Sequence, residues 1–171
     1  MWGSQSLSSY MAPYFDTETG YVFVQNGNLS AVRPKLGKPA WVRPLNAQLP
    51  WRWGAPLSTG TCALAATSTG ISAFEVEKGD FTWSFFFPGS LTGQVMAHLG
   101  GTIYVGLGCW FFAFNESTGS TLWQEPSQSS GGCGMGVAVG LFFAYFVTGN
   151  GVSAVRRSTG ATAWSWNMTG I

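Results

Sequence analysis

A frame of Ala, then Gly six residues on, then Trp four beyond that, occurs four times in this chain. With a charge-poor composition rich in glycine and aromatics, it predicts an all-β fold, a propeller-like array of four small sheets. The copies are Ala31, Gly37, Trp41; Ala73, Gly79, Trp83; Ala113, Gly119, Trp123; and Ala154, Gly160, Trp164. Steps of 42, 40 and 41 residues between the tryptophans give a period near 41, within the 40 to 45 residues, roughly, of a blade-sized repeat. Charged residues make up 9% of the 171, against about 25% in an ordinary soluble domain. Twenty-four glycines and 16% aromatics suit short strands and tight turns better than surface helices.

Each period holds room for four strands. In the first they are expected at 10–15, 21–24, 29–32 and 40–42, and in the second at 52–56, 62–66, 71–74 and 81–85. The third is the clearest: 94–98 alternates, Gly100-Gly101 turns, 102–105 is β-branched and aromatic, and 110–114 and 121–124 flank Ser117-Thr118-Gly119. The fourth gives 135–139, 141–146, 152–155 and 162–166. The blades are thus expected near 8–43, 50–86, 93–125 and 134–167, in one region spanning 1–171. Each frame Gly follows a polar run where a turn residue needs positive φ. Each frame Ala leaves space for the adjacent sheet, and each frame Trp brings some 150–250 Å² of surface to cover it.

Several function classes are excluded by the same residues. A net charge of +1 with no basic cluster beyond Arg156-Arg157 leaves no electrostatic footprint for nucleic acid. No apolar run reaches the roughly 18–20 residues that span a bilayer, and Met1 to Gln5 has neither the basic start nor the apolar stretch of a signal peptide. Three cysteines, no Cys-x-x-Cys and a single histidine oppose a zinc site. Cys109 and Cys133 lie in neighbouring repeats; a bridge between them is one reading, and buried free thiols are the favoured one. Sequons at Asn28, Asn115 and Asn167, with the low charge, tilt the compartment toward a lumenal or extracellular one without fixing it.

The frame resembles the tryptophan-docking motif of the PQQ-type β-propeller repeat, whose fuller pattern is Ala-x-Asp/Asn-x-x-Thr-Gly-x-x-x-Trp. The third copy keeps Asn115, Thr118, Gly119 and Trp123, and the fourth keeps Thr159, Gly160 and Trp164 with Arg156 at the third position. The first two are looser, with Arg33 and Leu36 in one and Glu75 and Lys78 in the other. Competing repeats fail on spacing: there is no Trp-Asp or Gly-His pair, no Gly doublet in every unit, and no Asp two before each frame Gly. The resemblance implies blades of four antiparallel strands around an axis, commonly seven or eight to a ring. Four blades then point to an excerpt of a longer propeller, next to a half-ring completed by another polypeptide, and last to a closed four-bladed ring.

The same family includes quinone- and calcium-dependent alcohol and sugar dehydrogenases, with a Glu and Asn holding the calcium, an Asp base and often adjacent cysteines. This chain has no Cys-Cys; its only aspartates are Asp16 and Asp80, and Glu75, Glu77 and Glu116 fall in the frame or its turn. No set of 6 to 8 oxygen ligands, roughly, can be assembled from them. His98 has no evident Ser, Cys or carboxylate positioned beside it and reads as structural. No catalytic residue, metal or cofactor is therefore expected. Phe85-Phe86-Phe87 reads as packing between blades, whereas Trp51 and Trp53 lie outside the frame in a long loop and are the candidate exposed contacts. The leading expectation is a non-catalytic scaffold for protein–protein interaction, with protein partners in a larger complex or further blades of the same polypeptide. The resemblance offers the propeller component of bacterial outer-membrane assembly machinery as precedent. The alternatives are a dehydrogenase fragment or a glycan-binding module.

Overall fold

The structure, a computed structural model, describes residues 12–45, 54–67, 69–88, 94–127 and 136–167. These form sixteen strands in four antiparallel sheets, each a simple meander in chain order. Blade 1 comprises β1 (Tyr14–Phe15), β2 (Val22–Gln25), β3 (Asn28–Arg33) and β4 (Lys38–Pro44). Blade 2 has β5 (Leu57–Ser58), β6 (Cys62–Thr67), β7 (Gly70–Glu75) and β8 (Phe81–Phe86). Blade 3 has β9 (Gln94–Leu99), β10 (Thr102–Leu107), β11 (Trp110–Asn115) and β12 (Thr121–Pro126). Blade 4 has β13 (Gly136–Val139), β14 (Phe143–Thr148), β15 (Gly151–Arg156) and β16 (Thr162–Asn167). No helix among the described residues is long and apolar enough to cross a membrane.

The register explains the frame. Ala and Trp are direct cross-strand partners in every blade: Ala31 with Trp41, Ala73 with Trp83, Ala113 with Trp123 and Ala154 with Trp164. Immediately after each Ala the pairing shifts by a β-bulge. The extra residue of the bulge puts two residues opposite one and keeps the Trp on the face that its Ala occupies. At each turn between them, Gly37, Gly79, Gly119 and Gly160 adopt φ of 60°, 71°, 69° and 78°, a region costly to any residue with a Cβ.

One strand is displaced from its expected place. Among the described residues, pairing in blade 2 begins at Leu57 with Leu64 and Ser58 with Ala63, beyond the strand expected over 52–56, and 54–56 are unpaired. Pro56 has no N–H to give a ladder, and the tight turn in which Thr59 N donates to the Cys62 carbonyl sets the register from the other end. In blade 4 the second strand starts at Phe143, because Gly140 N donates to the Phe143 carbonyl and leaves Leu141 and Phe142 in the turn.

The sheets stack face to face, and the hydrophobic core lies at the joints between them. Phe23, Leu29, Ala31 and Trp41 of blade 1 meet Ala63, Ala65, Phe74 and Val76 of blade 2. Leu64, Ile71, Ala73 and Trp83 of blade 2 meet Ile103, Val105, Phe112 and Phe114 of blade 3. Tyr104, Phe111, Ala113 and Trp123 then meet Ala144, Phe146 and Val155 of blade 4. First strands neighbour one another, β1 with β5 and β9 with β13, which puts them on the inner side of the array.

Candidate interaction surface

The joints share one construction. The Trp of each blade lies flat over the turn glycine of the next, where a Cβ on Gly79 would come 2.6 Å from the Trp41 ring and one on Gly160 2.8 Å from the Trp123 ring, with Gly119 and Trp83 closer still. Its indole Nε1 donates to the carbonyl three residues before that glycine: Trp41 to Val76 at 2.7 Å, Trp83 to Glu116 at 2.8 Å and Trp123 to Arg157 at 2.7 Å. The indole therefore has its polar handle satisfied while its ring is removed from water. Exposure of the three rings is 7%, 7% and 9%.

Side chains at the position three before the glycine give each joint its own filling. Val76 is apolar and buried in the first joint. Glu116 occupies the second, where its carboxylate accepts from the hydroxyls of Thr59 and Thr61 on one oxygen and lies 2.9 Å from His98 Nε2 on the other. Burial pushes the Glu116 carboxyl up, but the two hydroxyls and the His98 imidazole outweigh it and hold it below the ordinary value. The lone-histidine expectation is thus corrected: His98 has a positioned carboxylate from β11's end, 18 residues away in sequence. Arg157 fills the third joint, its Nε donating to the Tyr104 hydroxyl at 2.8 Å and its other nitrogens to the carbonyls of Leu99, Gly140 and Leu141.

Four of the other six carboxylates have partners in turns or across a joint. Asp16 takes Thr19, Ser58 and the Glu18 N–H, and although burial raises its carboxyl those donors bring it below the usual range. Glu75 accepts from Lys78 N, Glu77 from the Tyr21 hydroxyl, and Asp80 sits 3.6 Å from Arg43. Among the described residues no three His, Cys, Asp or Glu side chains converge as metal ligands. A calcium–quinone pair therefore finds no fitting donor set in these residues, and no step is derived through one.

The other named positions are as follows. Trp51, Trp53 and Cys133 lie outside the described residues, so neither the loop contact nor the Cys109 pairing has a geometry here. Asn28 is exposed at the start of β3 and Asn167 at the end of β16. Asn115 Oδ1 accepts from Ser117 N, Thr118 N and the Thr118 hydroxyl at 3.0–3.1 Å, so this side chain builds its own turn. Phe85 packs at a tilt against Phe112 and Phe114, and with Phe87, Pro88 and Trp110 it lines an open cavity of about 310 Å³. Phe86 departs from the packing expectation: strand alternation turns it outward and leaves it exposed.

The two end blades carry the same surfaces without a neighbour among the described residues. Trp164, the counterpart of Trp41, Trp83 and Trp123, is 48% exposed and meets the Tyr145 ring of its own blade at 6.2 Å. Trp166 beside it is exposed as well. On blade 1, Val22 and Val24 are half-buried, whereas their counterparts Ala63 and Ala65, Ile103 and Val105, and Ala144 and Phe146 are fully enclosed. Gly37 is exposed, unlike Gly79 and Gly160. The residues of these faces match those of the closed joints, so the repeat alone does not tell an end face from a joint.

Comparison with known proteins fits this geometry. The family model described as outer membrane protein assembly factor BamB matches residues 25–170. No curated protein matches. Among solved structures, BamB from Moraxella catarrhalis aligns at a TM-score of 0.73 and 18% identity over 92% of this chain and 52% of that one. Quinohemoprotein alcohol dehydrogenase ADHIIG from Pseudomonas putida HK5 aligns at 0.79 and 13% identity, over 93% of this chain and 34% of its own. The quinohemoprotein alcohol dehydrogenase of Comamonas testosteroni gives 0.78 and 14%, over 94% and 35%. At these identities the likeness is one of fold, and the chain spans about half or less of each structure's length.

Proposed function

The chain belongs to the family described as outer membrane protein assembly factor BamB, and on that premise we propose that it is a non-catalytic β-propeller scaffold that holds protein partners in a larger assembly. The observation that carries this reading is the pair of apolar end faces, with Trp164 and Trp166 on one and Val22 and Val24 on the other. Exposed apolar surface such as that at Trp164 and Trp166 marks interaction sites when it forms a large patch. The engagement of Asp16, Glu75, Glu77 and Glu116 in turns and joints supports it, because acid–base or metal chemistry needs carboxylates with capacity to spare.

The dehydrogenase reading, drawn from structures that share only the fold, is tested by supplying the purified chain with the quinone, calcium, an alcohol and a dye acceptor. Dye reduction at the protein-free rate is expected; turnover above it overturns the scaffold. A glycan-binding reading rests on Trp51 and Trp53, which stand outside the frame. Retention on a sugar array that is lost in Trp51→Ala or Trp53→Ala with the fold intact would establish that reading in its place.

A further inference from the structure

The joints between blades share a frame but not an outer rim. Two residues after the docked tryptophan, the chain has Arg43 in blade 1, Phe85 in blade 2 and Glu125 in blade 3. On the blades that receive those indoles, the cross-strand pair next to the frame pair is Ser72 with Ser84, Phe112 with Gln124, and Ser153 with Ser165. Glycine begins β7 and β15, at Gly70 and Gly151, where Trp110 begins β11. A Cβ on either glycine would run into a carbonyl of the neighbouring strand, that of Phe85 or Trp166. The joint between blades 2 and 3 thus carries three rings where its neighbours carry serine, glycine and a charged residue. The frame does not ask for them.

Nor do these rings fill the space they surround. Phe112 is fully buried and makes the floor, with the centroids of Phe85, Phe87 and Trp110 at 5.4, 5.9 and 6.5 Å from its own. Phe87 stands at 82° to Phe112. Those three are half-buried, so part of each ring is open to the cavity of about 310 Å³, and Pro88 and Gln124 are exposed at its mouth. Blades 2 and 3 each have a neighbour on both sides, so these walls owe nothing to the first or the last sheet.

The lining selects a ligand by what it lacks. No Lys, Arg, Asp or Glu is part of it, which leaves nothing to hold a carboxylate or a phosphate. Apart from the Trp110 indole, its side-chain hydrogen-bonding capacity is the Gln124 amide, too little for the hydroxyls of a sugar. A quaternary ammonium needs neither, since it has no N–H to satisfy and its spread charge is drawn to aromatic faces within roughly 6 Å of a ring centroid. About 310 Å³ lies at the small end of ligand sites, roughly 300–1,000 Å³, and suits a head group better than a whole cofactor. We propose that the wedge between blades 2 and 3 binds a trimethylammonium group, with Phe85, Phe87 and Trp110 as aromatic walls over Phe112 and Gln124 at the rim.

The test is an NMR titration of the 171-residue chain with choline and with its uncharged isostere, in which carbon replaces the nitrogen. The two share a shape, so attraction to the charge alone separates them. Choline is expected to bind about tenfold more tightly. Gln124→Glu puts a carboxylate at the mouth and is expected to tighten choline about threefold, and Gln124→Lys to weaken it by as much, with the isostere unchanged in both. Position 124 is exposed, so both variants spare the packing, which circular dichroism checks. Trp110→Leu keeps an apolar wall without its π face and is expected to lose the preference for choline. Phosphocholine and an amide of trimethyllysine, titrated in parallel, tell a lipid head group from a modified side chain by which binds more tightly. Equal affinity for choline and its isostere overturns the proposal and leaves a merely apolar cavity. Absence of choline binding overturns it too, as does indifference to the charge at 124.

Discussion

Trp83 and Trp164 hold the same place in two blades, each across the sheet from an alanine and just past a bulge, yet one is 7% exposed and the other 48%. Their own sheets do not account for the difference. Trp83 is enclosed because blade 3 brings Gly119, the Glu116 carbonyl and Phe114 against it. A blade of this protein is thus half of two joints more than it is a folding unit, and stability resides between sheets, as expected of a repeat array whose units bury surface only by stacking.

The comparison can be broken or sharpened by substitution, each effect read from urea unfolding of dilute, monomeric chain. The largest change is expected from Trp83→Ala, about 4 kcal/mol, since a buried aromatic and its cavity are both lost. If Trp164→Ala cost as much, burial within the sheet would have to explain both. Gly119→Ala ranks next at about 3 kcal/mol, combining left-handed strain with displacement of the Trp83 ring. Gly101→Ala serves as its control: φ is +73° there too, but nothing lies within 4 Å of the added methyl, so only about 1 kcal/mol of strain is expected.

Glu116→Gln comes third, about 1.5 kcal/mol at neutral pH, because a charge-assisted acceptor for Thr59, Thr61 and His98 is weakened. Its pH dependence has a definite sign. The carboxyl is held below its ordinary value in the folded state, so its contribution is complete above about pH 4.3 and is lost as pH falls through the lower folded value. Stability measured from pH 7 down to 3 is expected to fall less steeply in the Gln variant; an unchanged acid limb would remove Glu116 from its cause. The smallest effect belongs to Trp164→Ala, within about 0.5 kcal/mol, as for a surface position.

What could be read in the sequence follows the same division. Alanine, glycine and tryptophan stand at fixed intervals because every joint needs a small residue, a positive-φ turn and a ring at those points, and repetition makes such needs visible. The fillings of the joints are not repeated: Val76, Glu116 and Arg157 hold one structural position with three chemistries. Nothing in a periodic pattern singles out Glu116, and its partners Thr59, Thr61 and His98 lie on other elements or in another blade. The pairing of Leu57 with Leu64 lies just beyond the strand expected at 52–56 for a related reason, since it is fixed by the turn from Thr59 to Cys62 and not by the repeated frame.

The one-way order of the joints has a consequence for the making of the chain. Because each indole docks on the blade that follows it, a newly translated sheet emerges from the ribosome with its tryptophan bare and stays so until some forty more residues are added. At every moment of synthesis the newest complete blade is the sticky one, and all earlier ones are sealed. A chaperone guarding this protein at birth would have one moving patch to shield, always the same aromatic shape.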